Sequence, residues 1–421
     1  MNPFEQRPMP IEKAIMNWEK MYPISYNKVC EDPYTKTRII LMNGTEFEAV
    51  WFLHQFNRHC NDNDLRRELA FIRRIEQQEQ KKIQNLKPIN ENILETTIAY
   101  EQLAVDLTAR LAQMEPDMNV KNALNFALLE DFDHLYRYSN LLEMEYKILP
   151  EKLVGGYTEL MPGRPTISHH RHPFEAVNNF VNFKTACDQT KLNISIITAA
   201  EQQTMNYYMN IGQYYTSDLG RKLYQEIGMV EEQHVSEYGS LKDPNSTWLE
   251  RLLLHEYTEC YLYYSCFETE TDPYIKKLWE CFLEYEITHL HIACDLLKKY
   301  ENKEWQQVIS CGEFPEILKL CPNIEYVRNI LKNTASMTKV RENYANVCEL
   351  PCDFEFFKYQ NAVNCDTKIV PSHITINNYI CKRGIDYRYE VAPNPICELQ
   401  NRKMDNVCIG REPLCTCDNT K

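Results

Sequence analysis

The chain has 421 residues, 44% of them hydrophobic and 25% charged, with a formal net charge of -14. That is long enough for a large core and more than one domain, ordinary for a globular protein, and too acidic for nucleic acid to be the main partner. The opening Met1-Asn2-Pro3-Phe4-Glu5 lacks a basic segment followed by an apolar run, and nothing approaches the roughly 18 apolar residues of a membrane span, so a cytoplasmic location without a membrane partner is expected.

Residues 1–44 carry Pro3, Pro8, Pro10, Pro23 and Pro33 and read as mostly irregular, with a helix near Ile11–Lys20 and a turn at Asn43-Gly44. Helical periodicity begins near Thr45, where Phe47, Val50, Trp51, His54 and Phe56 suggest one short helix. A second runs from about Asp62 to Leu86, with Leu65, Leu69, Ile72, Ile75 and Ile83 facing inward, and Pro88 stops it. These features set an N-terminal region at 1–88.

A repeat fills residues 89–300. Helical hairpins are expected at about Asn90–Met114 with Asn119–Ile148, at Lys191–Tyr215 with Leu219–Leu241, and at Ser246–Thr269 with Pro273–Tyr300. An Asp near each turn (Asp117, Asp218, Asp272) suits an N-cap, because its side chain accepts the free amide hydrogens of the next helix. In each hairpin an acid is followed 30 positions later by a second acid, and three positions after that by a histidine: Glu101, Asp131, His134; Glu201, Glu231, His234; Glu256, Glu286, His289. With 11 His and 60 acidic residues, about 0.2 such triples would arise by chance, and three occur. Each leg from acid to turn is roughly 21 Å at 1.5 Å per residue, so a tight hairpin brings its two acids level. Residues three apart share a helix face, so the second acid and its histidine point the same way.

The links between hairpins differ. Residues 150–190 form a long connection containing Gly155-Gly156, Met161-Pro162-Gly163-Arg164-Pro165 and Ser168-His169-His170-Arg171-His172-Pro173, then a short helix at about Phe174–Cys187. The next link, about Lys242–Asn245, is too short to cross a bundle. Residues 301–421 read as a separate region, with short helices at Phe314–Leu320 and Ile324–Lys332 and then a more extended pattern, as in Lys368-Ile369-Val370 and His373-Ile374-Thr375-Ile376. Eight of the 17 Cys fall at or after Cys348: Cys348, Cys352, Cys365, Cys381, Cys397, Cys408, Cys415 and Cys417. No Cys-x-x-Cys pair is present, so neither a rubredoxin nor a zinc ribbon is indicated. Metal binding, disulfides, cross-linking and reduced scattered thiols all stay open for this tail.

A carboxylate on one helix with Glu-x-x-His on its neighbour supplies half of a two-metal site, and two halves give four carboxylates and two imidazoles. Glu201 with Glu231-x-x-His234 and Glu256 with Glu286-x-x-His289 make residues 90–300 resemble the ferritin-like superfamily, which includes rubrerythrins, manganese catalases and related di-iron oxidases. The resemblance implies an all-α, ferritin-like antiparallel helix bundle with an extra hairpin, followed by a small irregular Cys-rich region. It also implies a dinuclear Fe or Mn cofactor reacting with oxygen or peroxide, with a small organic substrate or a homo-oligomer compatible with it. Asp131 stands where the family has Glu, and three units are present where two are needed. The family's antiparallel Glu-x-x-His helices and long crossover pair unit one with unit two or with unit three, and of these Glu101, Asp131, His134, Glu201, Glu231 and His234 are favoured as the site. Glu256, Glu286 and His289 are then a supplementary or intersubunit half-site, although motif strength alone pairs units two and three.

Other residues carry two readings each. Tyr207, Tyr208, Tyr263 and Tyr264 could tune metals or carry electrons, or simply pack with a bonded hydroxyl. His169, His170 and His172 could reach a metal, or bind an anionic substrate with Arg164 and Arg171, or belong to a polar Pro-braced loop. Two functions follow. One is a metal-dependent oxidoreductase. The other is a structural or assembly protein on the same scaffold, cross-linked through its tail.

Overall fold

In the computed structural model, which describes residues 1–386 and 388–400, four long antiparallel helix pairs carry the chain from Pro33 to Glu301. They are α1 (Pro33–His59) with α2 (Asn63–Gln84), α3 (Ile93–Met114) with α4 (Met118–Tyr146), α6 (Asp188–Ile211) with α7 (Asp218–Gly239), and α8 (Trp248–Thr269) with α9 (Pro273–Glu301). The one-turn α5 (Pro150–Leu153) opens the long crossover. The turns follow one scheme. Asp62, Asp117, Ser217 and Asp272 cap α2, α4, α7 and α9, each accepting backbone amides of the first turn. In the third pair Ser217 thus takes the cap expected of Asp218. Capping boxes fix the starts of α3 (Asn92 with Glu95) and α8 (Thr247 with Glu250).

Helix α1 corrects the reading of residues 1–44 as irregular. Asp32 caps it and Pro33 occupies its first position, where proline's missing N–H costs nothing. Asn43 and Gly44 lie inside it, not in a turn. A Cβ on Gly44 would sit 2.6 Å from Gln203 Nε2, so the glycine marks a close crossing of α1 over α6. There Gln203 bonds the carbonyl of Ile40 at 2.8 Å, and Asn43 bonds Gln203. The expected helix at Ile11–Lys20 is a short 3-10 turn, Ile11–Ala14.

Pairs α3/α4 and α6/α7 contact each other through α3 with α6 and α4 with α7, and make an inner four-helix group. Pairs α1/α2 and α8/α9 meet through α1 with α8 and α2 with α9, and make an outer one. The two groups share α1 packed on α3 and α6, and α6 packed on α8. A continuous core runs through these contacts, with Leu41, Leu53, Leu107, Leu124, Ile197, Leu253 and Leu290 all buried.

The crossover from Lys147 to Cys187 lies over α4. Gly163 makes that approach possible, because a Cβ there would fall 2.3 Å from the Leu129 carbonyl oxygen. Its N–H donates to Asp133, and the Arg164 N–H donates to Leu129. The expected helix at Phe174–Cys187 is reduced to the 3-10 turn Pro173–Ala176. Beyond Glu301 no helix forms at 314–320, whereas α10 (Ile324–Thr334) does. A β-hairpin of β1 (Met337–Val340) and β2 (Asn343–Asn346) follows, then α11 (Glu355–Val363) and α12 (Pro371–Arg383). Helix α12 occupies the stretch read as extended and packs on α4 and α7, burying Ile376 and Tyr379. Cys408, Cys415 and Cys417 lie outside the described residues. Among the described residues, no helix is long and apolar enough to cross a membrane.

Candidate metal centres

The acids and histidines of the first two motifs meet inside the inner group. Glu101 comes from α3, Asp131 and His134 from α4, Glu201 from α6, and Glu231 and His234 from α7. None of the six is more than 1% exposed. Their ligand atoms form two overlapping sets, Glu101/Asp131/His134/Glu231 and Asp131/Glu201/Glu231/His234, and within each set the atoms lie within 4.8 Å of one another. Asp131 and Glu231 belong to both sets, which is where bridging carboxylates of a two-metal site would stand. His134 Nδ1 lies 2.9 Å from Glu231. His234 Nδ1 faces Asp131 at 3.2 Å, Glu231 at 3.3 Å and Glu201 at 3.7 Å.

The other nitrogen of His234 fixes its ring. Nε2–H donates to Glu130 at 2.8 Å, leaving Nδ1 for the centre. Glu130 is itself held by Arg171 and lies 3.4 Å from Arg164 Nε. Burial opposes its ionisation, but Arg171, His234 and Arg164 keep its carboxyl well below the usual range. Arg171 also bonds Glu237 at 2.6 Å. Both arginines thus face buried glutamates, which among the readings of this loop favours the polar, Pro-braced one over binding of an anionic substrate. His169 bonds the Arg164 carbonyl at 2.8 Å and stands edge-on to His134, with centroids 5.3 Å apart. Burial holds its pKa well below the ordinary imidazole value. His170 faces Glu226 at 3.6 Å, and the His172 ring accepts from the amide of Phe174, so neither joins the cluster.

So many buried acids at one depth can coexist with the help of cations or protons. Both oxygens of Asp131, Glu201 and Glu231 and one of Glu101 are buried without a hydrogen-bond partner. Burial, then the charges of Glu231 and Asp131, push Glu101 well above the ordinary carboxyl range; burial and Asp131 do the same to Glu201. Burial also raises Asp131. Burial opposes the ionisation of Glu231 too, but His134 and His234 bring it down to about 2. Burial works against charge on His234, yet Asp131 and Glu130 raise it well above the normal imidazole value. A divalent ion would replace the Nδ1 proton and satisfy the orphaned oxygens together, so these residues fit a dinuclear metal group.

Glu256, Glu286 and His289 do not join that cluster, and they are not half of an intersubunit site. Their complement is in the same chain, on α1 and α2. His289 Nδ1 lies 2.9 Å from Glu76, 3.2 Å from Glu286 and 3.8 Å from Glu256. Glu79 and Glu259 complete two further sets, Glu76/Glu79/Glu286/His289 and Glu76/Glu256/Glu259/Glu286. Glu46 faces the same place and accepts a bond from Tyr263. Its counterpart is Glu101, which accepts from Tyr208 at 2.5 Å. These two tyrosines thus bond ligand-position carboxylates.

Glu46, Glu76, Glu79 and Glu259 escape a search keyed to histidine. The signal is present nonetheless: Glu46 precedes Glu76 by 30 positions, and Glu79 stands where the other hairpins have His134, His234 and His289. The α1/α2 hairpin is a fourth copy of the same register. No family model, curated protein or solved structure matches the chain.

Proposed function

We propose that the chain is a metal-dependent oxidoreductase with a ferritin-like inner bundle, whose dinuclear Fe or Mn centre at Glu101, Asp131, His134, Glu201, Glu231 and His234 acts on oxygen or peroxide. One observation carries this reading: six ligand-type side chains from two helical hairpins converge, and each has at least one buried donor atom without a hydrogen-bond partner. Glu101, Asp131, Glu201, Glu231 and the two imidazoles would hold the metals, Asp131 and Glu231 being common to both ligand sets. The bound metals would supply redox capacity and Lewis acidity. The protein's part is to exclude bulk water and orient the ligands. Glu130 sets the face that His234 presents, and Tyr208 holds a proton against Glu101. The full burial of the six favours a reactant as small as oxygen or peroxide.

The test is anaerobic reconstitution of stripped protein with Fe(II) or Mn(II), followed by peroxide-decay and oxygen-uptake assays. Turnover that disappears in Glu231→Gln supports the reading. Metal-replete wild type without turnover opposes it. The exposed Cys348, Cys365, Cys381 and Cys397 favour the second reading, a scaffold cross-linked through its tail. Metal-free protein that forms reducible multimers would support that alternative.

A further inference from the structure

We propose that the outer cluster is a second dinuclear metal site, separate from the inner one and selective for harder, oxygen-seeking cations such as Mn(II). Its plan repeats the inner plan. Glu76 and Glu286 belong to both outer ligand sets, as Asp131 and Glu231 do to both inner ones. They also occupy the matching register positions on the second helices of their hairpins. All of Glu46, Glu76, Glu79, Glu256, Glu259, Glu286 and His289 are 0% exposed. Both oxygens of Glu79, Glu256 and Glu259 lack a hydrogen-bond partner, and so does one oxygen each of Glu46 and Glu286. Among the described residues, the positively chargeable groups ion-paired with these acids are imidazoles, His289 and His255. Acids gathered at one depth with so little counter-charge need cations or protons to coexist.

The composition sets the preference. Glu79 replaces an imidazole with a carboxylate. Glu259, three after Glu256, adds a carboxylate where the inner hairpins have Ala104 and Thr204. The outer centre offers six carboxylates and one imidazole, the inner one four and two. Carboxylate oxygens suit Mn and Mg, whereas imidazole suits Zn and Fe. The outer centre also has a cavity beside it. A cavity of about 540 Å³ among α1, α6 and α8 is lined by His255 and Thr258, which flank Glu256 and Glu259, and by Trp51 and Trp248. His255, on that lining, has its Nε2 3.4 Å from Glu259.

The experiment strips the full chain with chelator, loads it anaerobically with Mn(II), and counts bound metal by mass spectrometry alongside electron paramagnetic resonance. Wild type should hold about four Mn per chain. Glu256→Gln/Glu286→Gln and Glu201→Gln/Glu231→Gln should each hold about two, with circular dichroism confirming that both fold. With equimolar Zn(II) competing, the protein retaining only the outer centre should show the higher Mn-to-Zn ratio. Glu79→His should keep four metals and lower that ratio. Two Mn in wild type, retained in the outer variant and lost in the inner one, would overturn the second site and leave the inner centre standing. No bound metal would overturn both. Equal Mn-to-Zn ratios in the two variants would overturn the claimed preference.

Discussion

At the scale of single residues, the decisive contact is Glu130 with His234. A free imidazole can present either nitrogen, but the bond from Nε2–H to Glu130 commits Nδ1 to the centre. Glu130→Gln keeps the shape and an acceptor oxygen but loses the charge. Inner-site metal affinity should then fall by about 10- to 100-fold, a typical cost of losing such a partner. Glu237→Gln is the control, because Glu237 also pairs with Arg171 yet makes no bond to His234. Competition titration with a chromophoric chelator measures both. Equal losses would show that Arg171 packing, not ring orientation, governs affinity. The same local logic explains Tyr208 and Tyr263, seven residues after Glu201 and Glu256. In both groups the hydroxyl reaches the acid on the opposing hairpin, Glu101 or Glu46.

At the scale of elements, four hairpins keep one register: an acid, a cap 16 positions on, a second acid at 30 and a His or Glu at 33. Three of them were legible because histidine is rare in this chain and made the coincidence visible. The first was hidden because Glu79 is one acid among 60. Pro33 and Asn43-Gly44 are local turn signals, yet tertiary packing decided both: Pro33 starts α1 and Gly44 admits Gln203. The stretch His373-Ile374-Thr375-Ile376 has β-branched residues that favour strands, but packing on α4 and α7 makes it helical. Gly163 gives the sharpest element-scale prediction. Its substitution by Ala drives a Cβ into backbone, not into a side chain that can swing away. Gly163→Ala should cost about 1–3 kcal/mol, the usual range for overpacking. The urea midpoint measures it, and an unchanged midpoint would mean that the crossover can lift from α4 without loss.

At the scale of the whole molecule, the hairpins are nested, with the second and third forming the inner group and the first and last enclosing the outer cluster. Stability without metal should therefore depend on pH in a definite direction. Burial raises Glu46, Glu79, Glu101, Asp131, Glu201, Glu256, Glu259 and Glu286. A raised carboxyl stabilises the fold fully below its unfolded value of about 4 and loses that contribution as pH rises. His234 and His289, raised by neighbouring acids against burial, contribute fully below about 6.5 and lose it above. Glu76 and Glu231 are lowered, by His289 and by the two inner histidines against burial; their contribution is already complete above about pH 5 and does not offset the trend. Chelator-treated protein should thus unfold at lower urea at pH 8 than at pH 5.5. Added Mn(II) should remove or reverse that slope, because metal binding requires deprotonated ligands. A flat profile without metal would contradict the assignment of these acids as mutually repelling.

The inner ligand constellation is also what the proposed chemistry depends on, and it can be seen directly. Crystals of metal-loaded protein, with diffraction recorded above and below the iron and manganese edges, should show two anomalous peaks between α3, α4, α6 and α7, both within bonding distance of Asp131 and Glu231. Density without a peak there, with Glu201, Glu231 and His234 turned away from one another, would contradict the account.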